Sequence, residues 1–200
     1  FNVNNAEAIY RLAQIAHDFD AQSPVIAYSW PSAGSPRGYA YDRDSVIFSR
    51  DGLEHLLQAL TGQGHRVLVV AHSMGSQLVM EVLRQLSISG KTDVLEALNG
   101  VALISPDIDE DVFRGQAARI VPFPQPFMLI VSSNDRALGI SAFLTGKPAR
   151  LGSIQEPDRL DDLPVRVIDL SDIREGDRTG HSTAFTAPAA IRLLRDLGAQ

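Results

Sequence analysis

Three residues set far apart along the chain carry the types needed for nucleophilic catalysis: Ser73, Asp135 and His181. A serine hydroxyl is a poor nucleophile near neutral pH. It needs a base within reach, and the base needs a carboxylate to orient it. Ser73 stands at the centre of Ala71-His72-Ser73-Met74-Gly75. To lift a serine hydroxyl clear of a sheet, the backbone must turn within one residue. That turn brings the residues two before and two after it together, so both must be small, and Ala71 and Gly75 are. A small-x-Ser-x-small pentapeptide arises by chance in roughly one chain of this length in seven at ordinary composition, so its flanks decide its meaning. Val67-Leu68-Val69-Val70-Ala71 reads as a buried strand, and Leu78, Val79, Val82, Leu83 and Leu86 recur at helical spacing just after the serine. Strand, sharp turn and helix is the context in which this motif presents a nucleophile. The N–H of Met74, opening that helix, is placed to stabilise an oxyanion.

Beyond Ser73 the chain holds one histidine, His181, within Gly176–Thr183 after the last expected strand. It is the candidate base. The acid is expected at a strand end between the two, and Asp135 follows Phe127–Ser132 and Ser133-Asn134. Asp107 and Asp109, one strand earlier, are held in reserve. Set beside these roles, Asp135 also reads as an Asx turn or helix cap, and His181 as an exposed loop residue. His72 is expected to point to the other side of the sheet. His17, His55 and His65 fall on helices or before strands. Two further patterns fail. Gly90-Lys91-Thr92 resembles the end of a phosphate-binding loop, but Gln85 stands where its first glycine is required. Asp107-x-Asp109-x-Asp111 resembles a calcium loop, but Val112 and Ala118 replace the required Gly and Glu.

The elements that must position these residues alternate. Asn4–Ala21 is an amphipathic helix with Asn4 or Asn5 as cap, and Val25–Trp30 is a short apolar strand. Pro31–Tyr41 is a turn-rich loop, Asp44–Leu60 a helix stopped by Gly62 and Gly64, and Asp93–Leu98 a short helical turn. Gly100–Ser105, Phe127–Ser132 and Val165–Leu170 are strands, the last more exposed and near an edge. Val112–Ala118 and Leu138–Leu144 are short helices. Residues 145–164 read as loop, and Thr186–Leu197 as a closing helix. Continuous apolar strands alternating with helices imply a mostly parallel sheet covered on both faces, an α/β fold. Ligands then bind beyond the carboxyl ends of the strands, where the candidate residues fall. Tyr39, Tyr41, Leu138 and Phe143 lie at that end and are expected to line an apolar acyl pocket.

With 200 residues, 44% hydrophobic and 21% charged, the chain fits one ordinary globular domain spanning 1–200. A net charge of −6 disfavours a nucleic-acid partner. No run of residues approaches the roughly 20 needed for a transmembrane helix. Without cysteine there are no disulfides and no thiolate nucleophile. The first residue is Phe1 rather than Met, so the chain is treated as a piece of a longer protein, with compartment and oligomeric state left open.

Several segments together resemble the bacterial α/β-hydrolases grouped as DUF900, within the esterase/lipase superfamily. They are Phe1-Asn2-Val3, Ser29–Gly34, Ala71–Gly75, Ser105–Asp109, Asn134–Leu138 and Gly180-His181-Ser182. The resemblance implies an α/β-hydrolase fold whose N-terminal strands are absent from this chain. It implies a second oxyanion N–H at Phe1 or Asn2. The expected activity is cleavage of a small carboxylic ester through Ser73, Asp135 and His181, with no metal or cofactor. No insertion has the length of a large lid, so short or medium acyl chains are expected. An amidase or peptidase with the same residues, or a non-catalytic binding module on the same fold, are the alternatives.

Overall fold

The computed structural model describes residues 4–146, 150–173 and 180–192. Its centre is an all-parallel sheet of β1 (Val67–His72), β2 (Leu98–Ile104), β3 (Phe127–Val131) and β4 (Arg166–Asp169), in that spatial order. The register aligns His72 with Ile104, Ile104 with Ile130, and Val131 with Asp169. The carboxyl ends of all four strands therefore lie along one rim. The ladder runs one residue further: Ser73, Ser105 and Leu170 donate their N–H groups to the carbonyls of Ile104, Ile130 and Val131.

Side chains of β2 alternate between two cores, as period-two geometry requires. Val101 and Leu103 join a large core with α4 (Gly75–Ile88), while Ala102 and Ile104 join a smaller one with Phe185, Ala187 and Ala190. Helices thus cover both faces. On the larger side lie α2 (Tyr39–Phe48), α3 (Arg50–Gly62), α4, α5 (Thr92–Glu96) and α6 (Glu110–Ala117). On the smaller side, α1 (Asn5–Asp18) lays Ile15 against the sheet together with Phe19 just beyond it, and α8 (Thr183–Thr186) contributes Ala184 and Phe185. α7 (Arg136–Thr145) crosses from β3 towards β4. No helix among the described residues is long and apolar enough to cross a membrane.

Most expected elements are present, with local corrections. α1 opens on a capping box in which Asn4 and Glu7 each receive the other's backbone N–H. The expected strand Val25–Trp30 is irregular and joins no strand among the described residues. β1 is an edge of the described sheet, and among the described residues this stretch does not lie in its ladder. Val25 and Ile26 are exposed, while Tyr28 and Trp30 pack on the large core. The helix expected from Asp44 starts five residues sooner, at Tyr39, and breaks at Ser49 into α2 and α3. The inner face of α2 is Tyr39, Asp42, Ser45 and Val46, too polar for a hydrophobic period to reveal. At the break, the Tyr28 hydroxyl donates to the Ser49 carbonyl (2.7 Å). The stretch 145–164 holds two 3-10 turns, Leu151–Ser153 and Pro157–Leu160. The closing helix is interrupted at Ala187 before Pro188, resumes over 188–192, and its expected end at Leu197 lies outside the described residues.

Leu103 on β2 is fully buried at the centre of the larger core. Leu103→Ala is expected to cost about 2–5 kcal/mol of folding stability, read as a lowered urea midpoint.

Candidate active site

Ser73 follows β1 directly and adopts φ +54°, the left-handed region that a non-glycine residue rarely occupies. Three backbone hydrogen bonds hold it there. Its N–H donates to the Ile104 carbonyl (2.9 Å), and its carbonyl accepts from the N–H groups of Ser76 (3.0 Å) and Asp107 (3.2 Å). The small flanks behave as the motif requires. A Cβ on Gly75 would stand 3.9 Å from the Ala71 Cβ and 3.6 Å from the Trp30 ring. Alanine would fit at position 75, but a longer side chain would meet that ring. Ser73 is 8% exposed and Met74 1%, so the elbow is largely buried.

His181 and Asp135 meet across two loops. His181 Nδ1–H donates to Asp135 Oδ2 at 2.7 Å, with the Asp135 side chain wholly shielded and that of His181 18% exposed. The other carboxylate oxygen, Oδ1, accepts the N–H of Leu138 (3.1 Å) in the first turn of α7. One oxygen thus meets the first turn of α7 and the other the His181 ring. The rim beyond β3 is tied to that beyond β4. Ser133 N–H donates to Ser171 Oγ (2.8 Å), and Asn134 Nδ2 donates to the Ser171 carbonyl (2.6 Å). Gly180 brings the histidine loop close onto this assembly. It has φ +76°, and a Cβ there would stand 2.8 Å from the Asn134 carbonyl oxygen.

His72 points to the face opposite α4, as expected, yet that face is where the histidine loop lies. Its Nε2–H donates to the His181 carbonyl (3.0 Å), and its ring centroid is 4.6 Å from that of His181. Phe185 meets the His72 ring edge-on at 5.4 Å. Burial first, and the His181 ring second, push the His72 imidazole down to about 3. Sequence reasoning set His72 aside. The available signal was its place next to Ser73 at the carboxyl end of a strand.

The reserve acids are engaged elsewhere. Asp107, 5% exposed, pairs with Arg150 Nε at 3.0 Å and accepts from the hydroxyls of Ser141 (2.6 Å) and Tyr39 (2.9 Å). Asp109 caps α6 by accepting from the N–H groups of Asp111 and Val112. Tyr39 is thus buried with its hydroxyl bound beneath the elbow, and burial followed by the Asp107 charge raises its pKa. Leu138 is core, Tyr41 is 57% exposed, and the Phe143 side chain, with Phe1 and Asn2, lies outside what the structure describes. The Gly90-Lys91-Thr92 pattern is a helix exit in which Lys91 pairs with Glu54. Among the described residues, no three His, Asp or Glu side chains converge on a point fit for a metal ion.

A parallel sheet with helices on both faces, a strained serine between strand and helix, and a His–Asp pair on the same rim define an α/β hydrolase. The chain belongs to the family described as "Alpha/beta hydrolase of unknown function (DUF900)", whose model matches residues 1–197. It is also similar to the protein named "Uncharacterized protein alr1448" from Nostoc sp. (strain PCC 7120 / SAG 25.82 / UTEX 2576). That match is 36% identical over 63 residues, covering 30% of this chain and 16% of that protein.

Two measurements follow from this geometry. Gly180→Ala combines a disfavoured φ with a close contact and is expected to lose about 1–3 kcal/mol in urea unfolding. The depressed His72 pKa gives a signed pH dependence. Below the ordinary value of 6.5, the unfolded chain takes up a proton that folded His72 refuses until about 3. Stability held above pH 6.5 therefore drains as pH falls towards 3. Among the described residues, the titratable groups acting on His72 are the His181 imidazole and the Asp135 carboxylate. The urea midpoint of His72→Gln is expected to fall less than that of the wild type between about pH 7 and about pH 5.

Proposed function

We propose that the protein is a serine hydrolase that cleaves carboxylic esters through Ser73, His181 and Asp135. The observation that carries the reading is the 2.7 Å His181 Nδ1–Asp135 Oδ2 hydrogen bond on the rim where Ser73 is held at positive φ. With Nδ1 carrying the proton, the Nε2 lone pair of His181 is the base. It takes the Ser73 proton as Oγ attacks the ester carbonyl. The tetrahedral oxyanion is stabilised by the Met74 N–H. Collapse expels the alcohol, which receives the proton from His181 Nε2 and leaves an acyl-serine. Water, deprotonated by the same nitrogen, then attacks the acyl carbon and releases the carboxylic acid. Asp135, held through Oδ1 by the Leu138 N–H, orients the ring and stabilises the imidazolium.

Fluorophosphonate labelling of the full chain, with mass spectrometry to locate the adduct, tests the nucleophile. A single adduct on Ser73 is expected. Ser73→Ala is expected to abolish the adduct and lower ester hydrolysis by about 10³-fold or more while remaining folded. A folded wild-type protein that takes no label would overturn the reading and leave a non-catalytic binding module on a hydrolase fold.

A further inference from the structure

We propose that His72 is a positioning residue: it seats the base His181 on the same strand that carries the nucleophile, by holding the His181 carbonyl and supporting its ring. This rests on the reading of Ser73 and His181 as nucleophile and base. Its starting point is the turn that carries His181. Three successive carbonyls there have identified partners. That of Gly180 accepts from Thr183 Oγ1 (2.9 Å), and that of Ser182 accepts from Phe185 N–H (2.8 Å) and Thr186 Oγ1 (2.9 Å). These contacts fold the turn on itself. The His181 carbonyl is held from outside it, by Nε2–H of His72 at the end of β1.

Chain geometry explains why position 72 does this. Successive strand residues face opposite sides of the sheet. Ala71 faces α4, so His72 faces Phe185 and the histidine turn. An imidazole reaches further from the backbone than an amide of Asn, and it offers both a donor at its tip and a flat face. His72 uses its tip on the carbonyl and sets its ring against that of His181 at a 46° tilt, with Phe185 meeting it edge-on. The base is thereby anchored one residue from the nucleophile, and their separation is set by a single stretch of backbone rather than by two independent loops. The low pKa suits the role. A neutral His72 leaves the charge on His181 unopposed when the imidazolium forms, whereas a second cation at 4.6 Å would disfavour it.

The test compares His72→Phe, which keeps a ring and loses the donor, with His72→Gln, which keeps a donor at similar reach. Both are made in the full chain, with ester kcat and KM, the rate of fluorophosphonate labelling, and the far-downfield proton resonance of His181 Nδ1–H as readouts. In His72→Phe, kcat and labelling rate are expected to fall together by roughly 10–100-fold with KM within about 2-fold, and the Nδ1 resonance to broaden by exchange. His72→Gln is expected to recover to within about 5-fold of the wild type and to keep the resonance. If His72→Phe does not fold, His72→Asn, whose amide stops short of the carbonyl, replaces it with the same expectation. A donorless variant that labels at the wild-type rate, or a Gln variant as impaired as it, overturns the proposal. If the wild type itself does not label, the hydrolase reading fails separately. The resonance then decides the role of His72, and its persistence in His72→Phe overturns that role.

Discussion

The backbone of Ser73 sets the terms for the rest of the molecule. A non-glycine residue at φ +54° carries strain on the order of 1–3 kcal/mol, and it persists only where its surroundings over-determine it. Here they do so from three directions. β2 accepts its N–H, the first turn of α4 returns to its carbonyl, and the segment after β2 reaches the same carbonyl through Asp107 N–H. Relaxing the serine would break ladder, helix start and loop at once. The rim residue of β2, Ser105, is itself at φ +45°, so two neighbouring strands end in the same uncommon turn and brace each other.

Asp107 does its part only because its own side chain is locked. Its carboxylate is enclosed by Arg150, Ser141 and Tyr39, drawn from the 3-10 segment, α7 and α2. A buried ion pair of this kind adds little net stability compared with a well-packed apolar substitute. Its directional bonds fix registers that apolar packing would leave free. The Arg150 segment is tied further by backbone pairing of Leu151 with Ile108 and of Gly152 with Pro106 and Ser132. The floor of the site is thus a polar lattice joining four segments, set beneath a sheet held by hydrocarbon.

Much of this was legible in the sequence, and the gaps have physical causes. The parallel sheet was visible because β1, β2 and β3 are apolar runs with one dominant partner environment. The elbow was visible because its steric demand is strictly local, and Asp135 and His181 because strand ends and chain order leave few alternatives. The start of α2 was hidden because its inner face is built from Tyr39, Asp42 and Ser45, whose burial depends on distant partners. Tyr39, read as a substrate contact from its place in the chain, is turned inward by Asp107, sixty-eight positions away. Val25–Trp30 has the composition of a strand but finds no strand to pair with among the described residues, and pairing is not a property of the segment. The place of His72 was hidden for the same reason: its direction follows from strand alternation, but what stands opposite does not.

These gaps share a pattern that bears on how the site is held. What the sequence conceals are polar side chains whose partners are remote: Tyr39, Arg150, Ser141 and His72. Hydrophobic burial tolerates small displacements, because dispersion and desolvation change gradually with position. Hydrogen bonds do not, because they weaken steeply with angle and distance. A fold that needs a sheet can rely on the first. A site that needs an imidazole and a hydroxyl in register must rely on the second. That division is visible on β1 itself, where Val69 and Ala71 face the apolar core and the next residue, His72, turns to hold a carbonyl. The change from apolar to polar support falls at the strand's last residue, immediately before the strained Ser73.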